Sequence, residues 1–77
     1  MNGEINNMRE YSDTLKCFYE AEDVVYISNM QQNTFYMEKG AVKSLRDITV
    51  DRGRIYFVWE KTQKIHDLYN EWNERKQ

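Results

Sequence analysis

The residues from Arg54 to Glu60 constrain the fold more than any others. Ile55, Phe57 and Trp59 alternate with Tyr56 and Val58, so a strand here carries apolar side chains on both faces. Such a strand belongs near the centre of a sheet, because an edge position or a bare face would leave rings in water. Just upstream, Asp47, Ile48, Thr49 and Val50 alternate, and Asp51, Arg52 and Gly53 supply a turn, so the whole segment reads as a β-hairpin. Val24 to Ile27 is a short run of β-branched and aromatic residues with polar flanks, which predicts a third strand.

Helical periodicity accounts for the rest. Ile5, Met8, Tyr11, Leu15, Phe18 and Tyr19 fall within an arc of roughly 140° at about 100° per residue, which predicts an amphipathic helix over residues 4–20 with Cys17 on its outer side. Ser28 to Gln31 has the form of a capping box opening a second helix, with Ser28 as the cap and Gly40 as the stop. Thr62 caps a third, whose Ile65, Leu68, Tyr69 and Trp72 follow the i, i+3, i+4, i+7 pattern to about residue 76. The predicted order is α-β-α-β-β-α, an α+β fold with a small three-stranded sheet, mixed or antiparallel, and helices packed mainly on one face. Residues 1–77 read as a single domain, the N-terminal helix being an addition to a β-α-β-β-α scaffold over 24–76.

A chain of 77 residues buries little core, and one cysteine excludes an internal disulfide that would reinforce it. No apolar run approaches a membrane span, and Met1 to Glu4 lacks a basic start, which together predict a soluble cytoplasmic protein without membrane contact. The net charge of −2 conceals two opposed segments. Residues 1–23 hold six acids against two bases, and residues 39–64 hold seven bases against three acids.

Catalysis needs groups that can approach one another, and the supply is small. Cys17 and His66 are single copies, expected on separate surfaces, and Asp67, Glu71 and Glu74 follow the spacing of a solvated helix face. The three glycines are isolated, so no phosphate-binding loop is in view. The expectation is a non-enzyme with no cofactor, no metal and no catalytic residue. Binding has two candidate surfaces. Glu10, Asp13, Glu20, Glu22 and Asp23 would form an acidic face on the first helix, suited to a protein partner with a basic groove. Arg46, Arg52, Arg54, Lys61 and Lys64 surround the hairpin, with Tyr56 as a ring for base stacking, which suits nucleic acid despite a pI near 5.3. Tyr11, Tyr19, Tyr36 and Tyr56 are left over once the other rings fill the core, and a second copy of the chain could cover them.

Val25 through Asn29, Gln32, Phe35, Tyr36, Lys39 and Gly40, then Ile55 through Glu60 and Leu68 through Trp72, resemble small domains of unknown function from phages and integrative elements of Gram-positive bacteria. Those domains look like a strand, a short helix ending in glycine, a hairpin with an aromatic second arm and a closing helix. Trp59 stands where they usually carry a second Phe. The resemblance implies a mobile-element setting inside a host cell and a short protein that occupies a host or viral macromolecule. An inhibitor of host defence, such as an anti-CRISPR protein, would use the acidic face, and a small regulator would use the basic hairpin on DNA or RNA.

Overall fold

A computed structural model of the protein describes residues 9–75. β1 (Arg9–Ser12) and β2 (Cys17–Glu20) form a hairpin of their own. A 3-10 turn at Ala21–Asp23 leads into β3 (Val24–Ile27), then α1 (Met30–Glu38) and a second 3-10 turn at Val42–Ser44. β4 (Leu45–Asp51), β5 (Arg54–Glu60) and α2 (Gln63–Arg75) follow in that order. β3, β5 and β4 lie in that order in one antiparallel sheet, so the strand with apolar residues on both faces is central, as its pattern requires. The fold is α+β.

Register sorts the strand residues by face. Val25, Trp59 and Leu45 lie abreast, as do Ile27, Phe57 and Ile48, and both helices pack on that side. Phe35 and Tyr36 of α1 and Ile65 and Leu68 of α2 close over them. On the opposite face Val24 and Val58 pack with Tyr19 of β2, so the hairpin covers part of what the helices leave open. Trp59 is fully buried and meets Tyr36 edge to face at 5.2 Å.

The inner side of α1 also carries two polar side chains, Gln32 and Asn33. Asn33 Nδ2 donates to the Ile27 carbonyl at 3.0 Å, and its Oδ1 accepts from Trp59 Nε1 at 2.8 Å. One amide thus joins the helix to two strands and satisfies the indole N–H that burial would otherwise leave unpaired. Asn29, one residue later than the expected Ser28, is the N-cap, its side chain accepting from the Gln32 amide at 3.0 Å. Gly40, at φ 82°, ends α1: the Gly40 and Ala41 amides donate to the Met37 and Tyr36 carbonyls, which only a left-handed residue allows without strain. Thr62 caps α2 as expected, and its hydroxyl also bonds the Ser44 hydroxyl at 2.9 Å.

The expected N-terminal helix is not formed over its described part. Residues 9–20 are the β1–β2 hairpin, and residues 4–8 lie outside the described residues. Tyr19 is buried while its neighbour Phe18 is 61% exposed, which is the two-residue period of a strand. Ser12 is the reason. The Ser12 hydroxyl accepts the Leu15 amide at 2.9 Å and the Ser12 carbonyl accepts the Lys16 amide at 2.7 Å, closing a turn in place of a helical ladder. Tyr19 and Tyr36, expected to be left over, are buried, and Phe18 and Tyr69, expected in the core, are exposed.

Arg52 (φ 53°) and Gly53 (φ 79°) make the two-residue turn between β4 and β5. Both positive φ values fit a type I′ turn, where glycine is relaxed and arginine is strained. Arg52→Asn should therefore raise stability by about 0.5–1 kcal/mol in urea denaturation, asparagine tolerating that region better. A neutral or negative change would count against the turn geometry.

Candidate interaction surface

The hairpin is fastened by a carboxylate that sequence reading passed over. Asp47 faces it from β4 and is buried. The Ser12 hydroxyl donates to Asp47 Oδ1 at 2.6 Å, the Tyr19 hydroxyl donates to Oδ2 at 3.1 Å, and the Ile48 amide donates to Oδ1 at 2.8 Å. Hydrogen bonds to an ionised acceptor are about twice as strong as neutral ones, so this cluster fixes both hairpin strands to the sheet. Two further side chains reach backbone oxygens of β4. Thr14 Oγ1 donates to the Ile48 carbonyl at 3.0 Å, and the Cys17 thiol to the Arg46 carbonyl at 3.5 Å. Cys17 is therefore half-buried against β4, not on an outer helical face.

Locking the inner side leaves the outer one free. Tyr11 and Phe18 are cross-strand partners, their rings edge to face at 4.9 Å, and Tyr11 is 47% exposed. Arg9 lies over the Phe18 ring at 5.4 Å and pairs with Glu20 across the strands at 3.5 Å. Exposed aromatics flanked by arginine and opposite charges have the composition of an interface centre with its polar rim.

Folding redistributes the acidic set. Glu10 is exposed on β1, Asp13 is exposed in the hairpin turn, Glu20 is tied to Arg9, and Glu22 and Asp23 follow in the 3-10 turn. They border the hairpin at both ends and do not share one helix face. The basic set is likewise divided. Arg46 pairs with Glu60 and donates to the Lys43 and Leu45 carbonyls, so it is committed to local structure. Arg52 and Arg54 are exposed at the β4–β5 turn, whereas Lys61 and Lys64 lie at the other end of β5, roughly 20 Å away along a seven-residue strand. Tyr56 is half-buried beside Tyr26, the ring centroids 6.4 Å apart. Cys17 and His66 serve opposite edges of the sheet, the thiol at β4 and the imidazole beside β3. Among the described residues no three of His, Cys, Asp and Glu gather closely enough to hold a metal, and no helix is long and apolar enough to cross a membrane.

Burial, then the neighbouring Tyr26 hydroxyl and Asp47, pushes the Tyr19 hydroxyl well above the ordinary tyrosine range. Burial raises Tyr36 as well, partly offset by its bond from Gln32. A tyrosine raised in the folded state holds its proton more tightly there than in the unfolded chain. Its contribution is complete below the unfolded value of about 10 and is lost as pH climbs toward the folded one. Urea midpoints should thus fall above about pH 10, and Tyr19→Phe should flatten that fall while lowering stability at neutral pH. An unchanged alkaline slope in the variant would refute the assignment.

Comparison with known proteins returned no match: no family model, no curated protein and no solved structure was found similar to the chain.

Proposed function

We propose that the chain is a small non-enzymatic interaction protein of a phage or mobile element, acting in the host cytoplasm by occupying a protein partner through the outer face of its β1–β2 hairpin. The observation carrying this reading is that Tyr11 and Phe18 point outward from an element clamped on its inner side by buried Asp47. A docking face held rigid before binding has little ordering entropy left to lose. Glu10, Asp13, Glu20, Glu22 and Asp23 border those rings and favour a basic partner surface, such as the groove of a nucleic-acid-binding host effector. Inhibition of host defence in the manner of an anti-CRISPR protein is the use that fits both this surface and the mobile-element resemblance. The test is affinity capture from host lysate with the tagged full chain. A nucleic-acid-binding effector should be recovered, should be lost with the paired Tyr11→Ala and Phe18→Ala substitutions, and should weaken with Glu10→Lys and Asp13→Lys. Undiminished recovery by the ring variant, with circular dichroism showing it folded, sinks the reading.

One observation favours a second reading. Tyr26, Tyr56 and Arg54 occupy the sheet face opposite the helices, an arrangement suited to stacking unpaired bases. Micromolar binding of a labelled single-stranded oligonucleotide at low salt, abolished by Arg54→Ala and Tyr56→Ala, would replace the protein-partner reading with a nucleic-acid regulator.

A further inference from the structure

The three-stranded sheet has two edges, and the chain treats them differently. Along β4 the strand's own Asp47 meets the Ile48 amide, and Thr14 and Cys17 of the hairpin meet the Ile48 and Arg46 carbonyls, so this edge is covered there. Along β3 the backbone alternates. The Asp23 carbonyl accepts the Lys61 amide at 2.8 Å, and Val25 and Ile27 stand opposite Trp59 and Phe57. Residues 23, 25 and 27 therefore turn their amides and carbonyls to β5, and Val24 and Tyr26 turn theirs outward.

A groove of about 640 Å³ runs beside this edge, with β3 as one wall and the first turns of α2 as the other. Val25, Ile27 and Ile65 give it an apolar floor, and Lys61, His66 and Tyr69 stand at its rim. None of its lining residues is a carboxylate. An edge strand facing a helix across an apolar trough is the geometry in which an extended peptide adds a strand, main-chain bonds supplying affinity and alternate side chains entering the trough.

We propose that β3 and α2 form a peptide-binding groove that takes an extended segment antiparallel to β3, with apolar side chains over Ile65 and a carboxylate beside Lys61. Charge selects this occupant over a second copy of the chain. In a two-fold antiparallel pairing of β3 with itself through the outward-facing residues, Val24 of one copy meets Tyr26 of the other, so Ile27 and Ser28 of the second copy come to the Lys61 end and no carboxylate of that copy does. The groove lies apart from the hairpin rings Tyr11 and Phe18, so this site stands or falls independently of the docking face proposed above.

The probe is a fluorescein-labelled hexapeptide of alternating threonine and valine ending in two aspartates, titrated into the full chain and followed by anisotropy and amide hydrogen exchange. At saturation the Val24 and Tyr26 amides should gain about tenfold or more in protection while Val25 and Ile27 stay as they were. Lys61→Glu, an exposed site whose backbone bond is unaffected, should weaken the acidic peptide about tenfold and favour a counterpart ending in two lysines. The paired Tyr11→Ala and Phe18→Ala variant should bind the peptide unchanged. Three results would overturn the proposal: no protection of Val24 and Tyr26 at millimolar peptide, equal affinity for the acidic and basic peptides, or protection that rises with protein concentration in the absence of peptide, which would assign the edge to a second copy.

Discussion

Asn33→Leu should cost the fold about 3 kcal/mol, because it strips partners from two buried groups while filling nearly the same volume. The Trp59 indole N–H loses its acceptor at 2.8 Å, and the Ile27 carbonyl loses a donor at 3.0 Å. Neither has water within reach, Trp59 being fully buried and Asn33 nearly so. An unpaired buried donor or acceptor costs about 1–3 kcal/mol, and the carbonyl keeps its sheet partner, so the indole supplies most of the loss. Trp59→Phe alone removes the donor and leaves the Asn33 oxygen unpaired. The double variant, with both polar ends gone, should therefore be more stable than the two single losses predict, with a coupling of about 1–2 kcal/mol. Urea denaturation of the four proteins closes the cycle. Strict additivity would show that Asn33 acts by packing alone. Measured against a total stability of roughly 4–12 kcal/mol for a domain of this size, the single substitution removes a large share.

The same residue shows what sequence pattern can and cannot convey. Apolar alternation placed β5 at the sheet centre, predicted its hairpin and located the stripe of α2, because these depend on periods that a short window contains. Asn33 sits on the buried side of α1 although its type suggests solvent, and only the partners brought by β3 and β5 make that placement favourable. Residues 9–20 are the clearest case of a period misread. Tyr11, Leu15, Phe18 and Tyr19 satisfy a helical arc, yet the turn-forming run Ser12, Asp13 and Thr14 interrupts it, the Ser12 hydroxyl and carbonyl taking the Leu15 and Lys16 amides. Weighting those three turn-formers above the apolar spacing would have revealed the hairpin. Nothing local would have revealed Asp47, since its partners Ser12 and Tyr19 lie 35 and 28 residues away. The candidate site was thus half legible: its acids and rings were named, but their grouping followed a helix that the chain does not form.

Asp47→Ala should free the hairpin without unfolding the rest. Three donors converge on this carboxylate: the Ser12 and Tyr19 hydroxyls and the Ile48 amide. Each bond to an ionised acceptor is worth about 1.5–3 kcal/mol, and burying the carboxylate itself offsets part of that, so about 3 kcal/mol is the expected net loss. What remains holding β1 and β2 is the small cluster of Tyr19, Val24 and Val58, together with the Thr14 and Cys17 contacts along β4. The helix-side core shares no buried residue with that cluster, so the loss should stay local. Amides of β1 and β2 should exchange about a hundredfold faster, while those of α1 and β5 keep their protection. Asp47→Asn retains an acceptor of the same shape and should lose about 1 kcal/mol, separating charge from shape. Uniform acceleration across the molecule would mean that the hairpin and the sheet fold as one unit, and Tyr11 and Phe18 would then owe their fixed positions to the whole fold and not to this carboxylate.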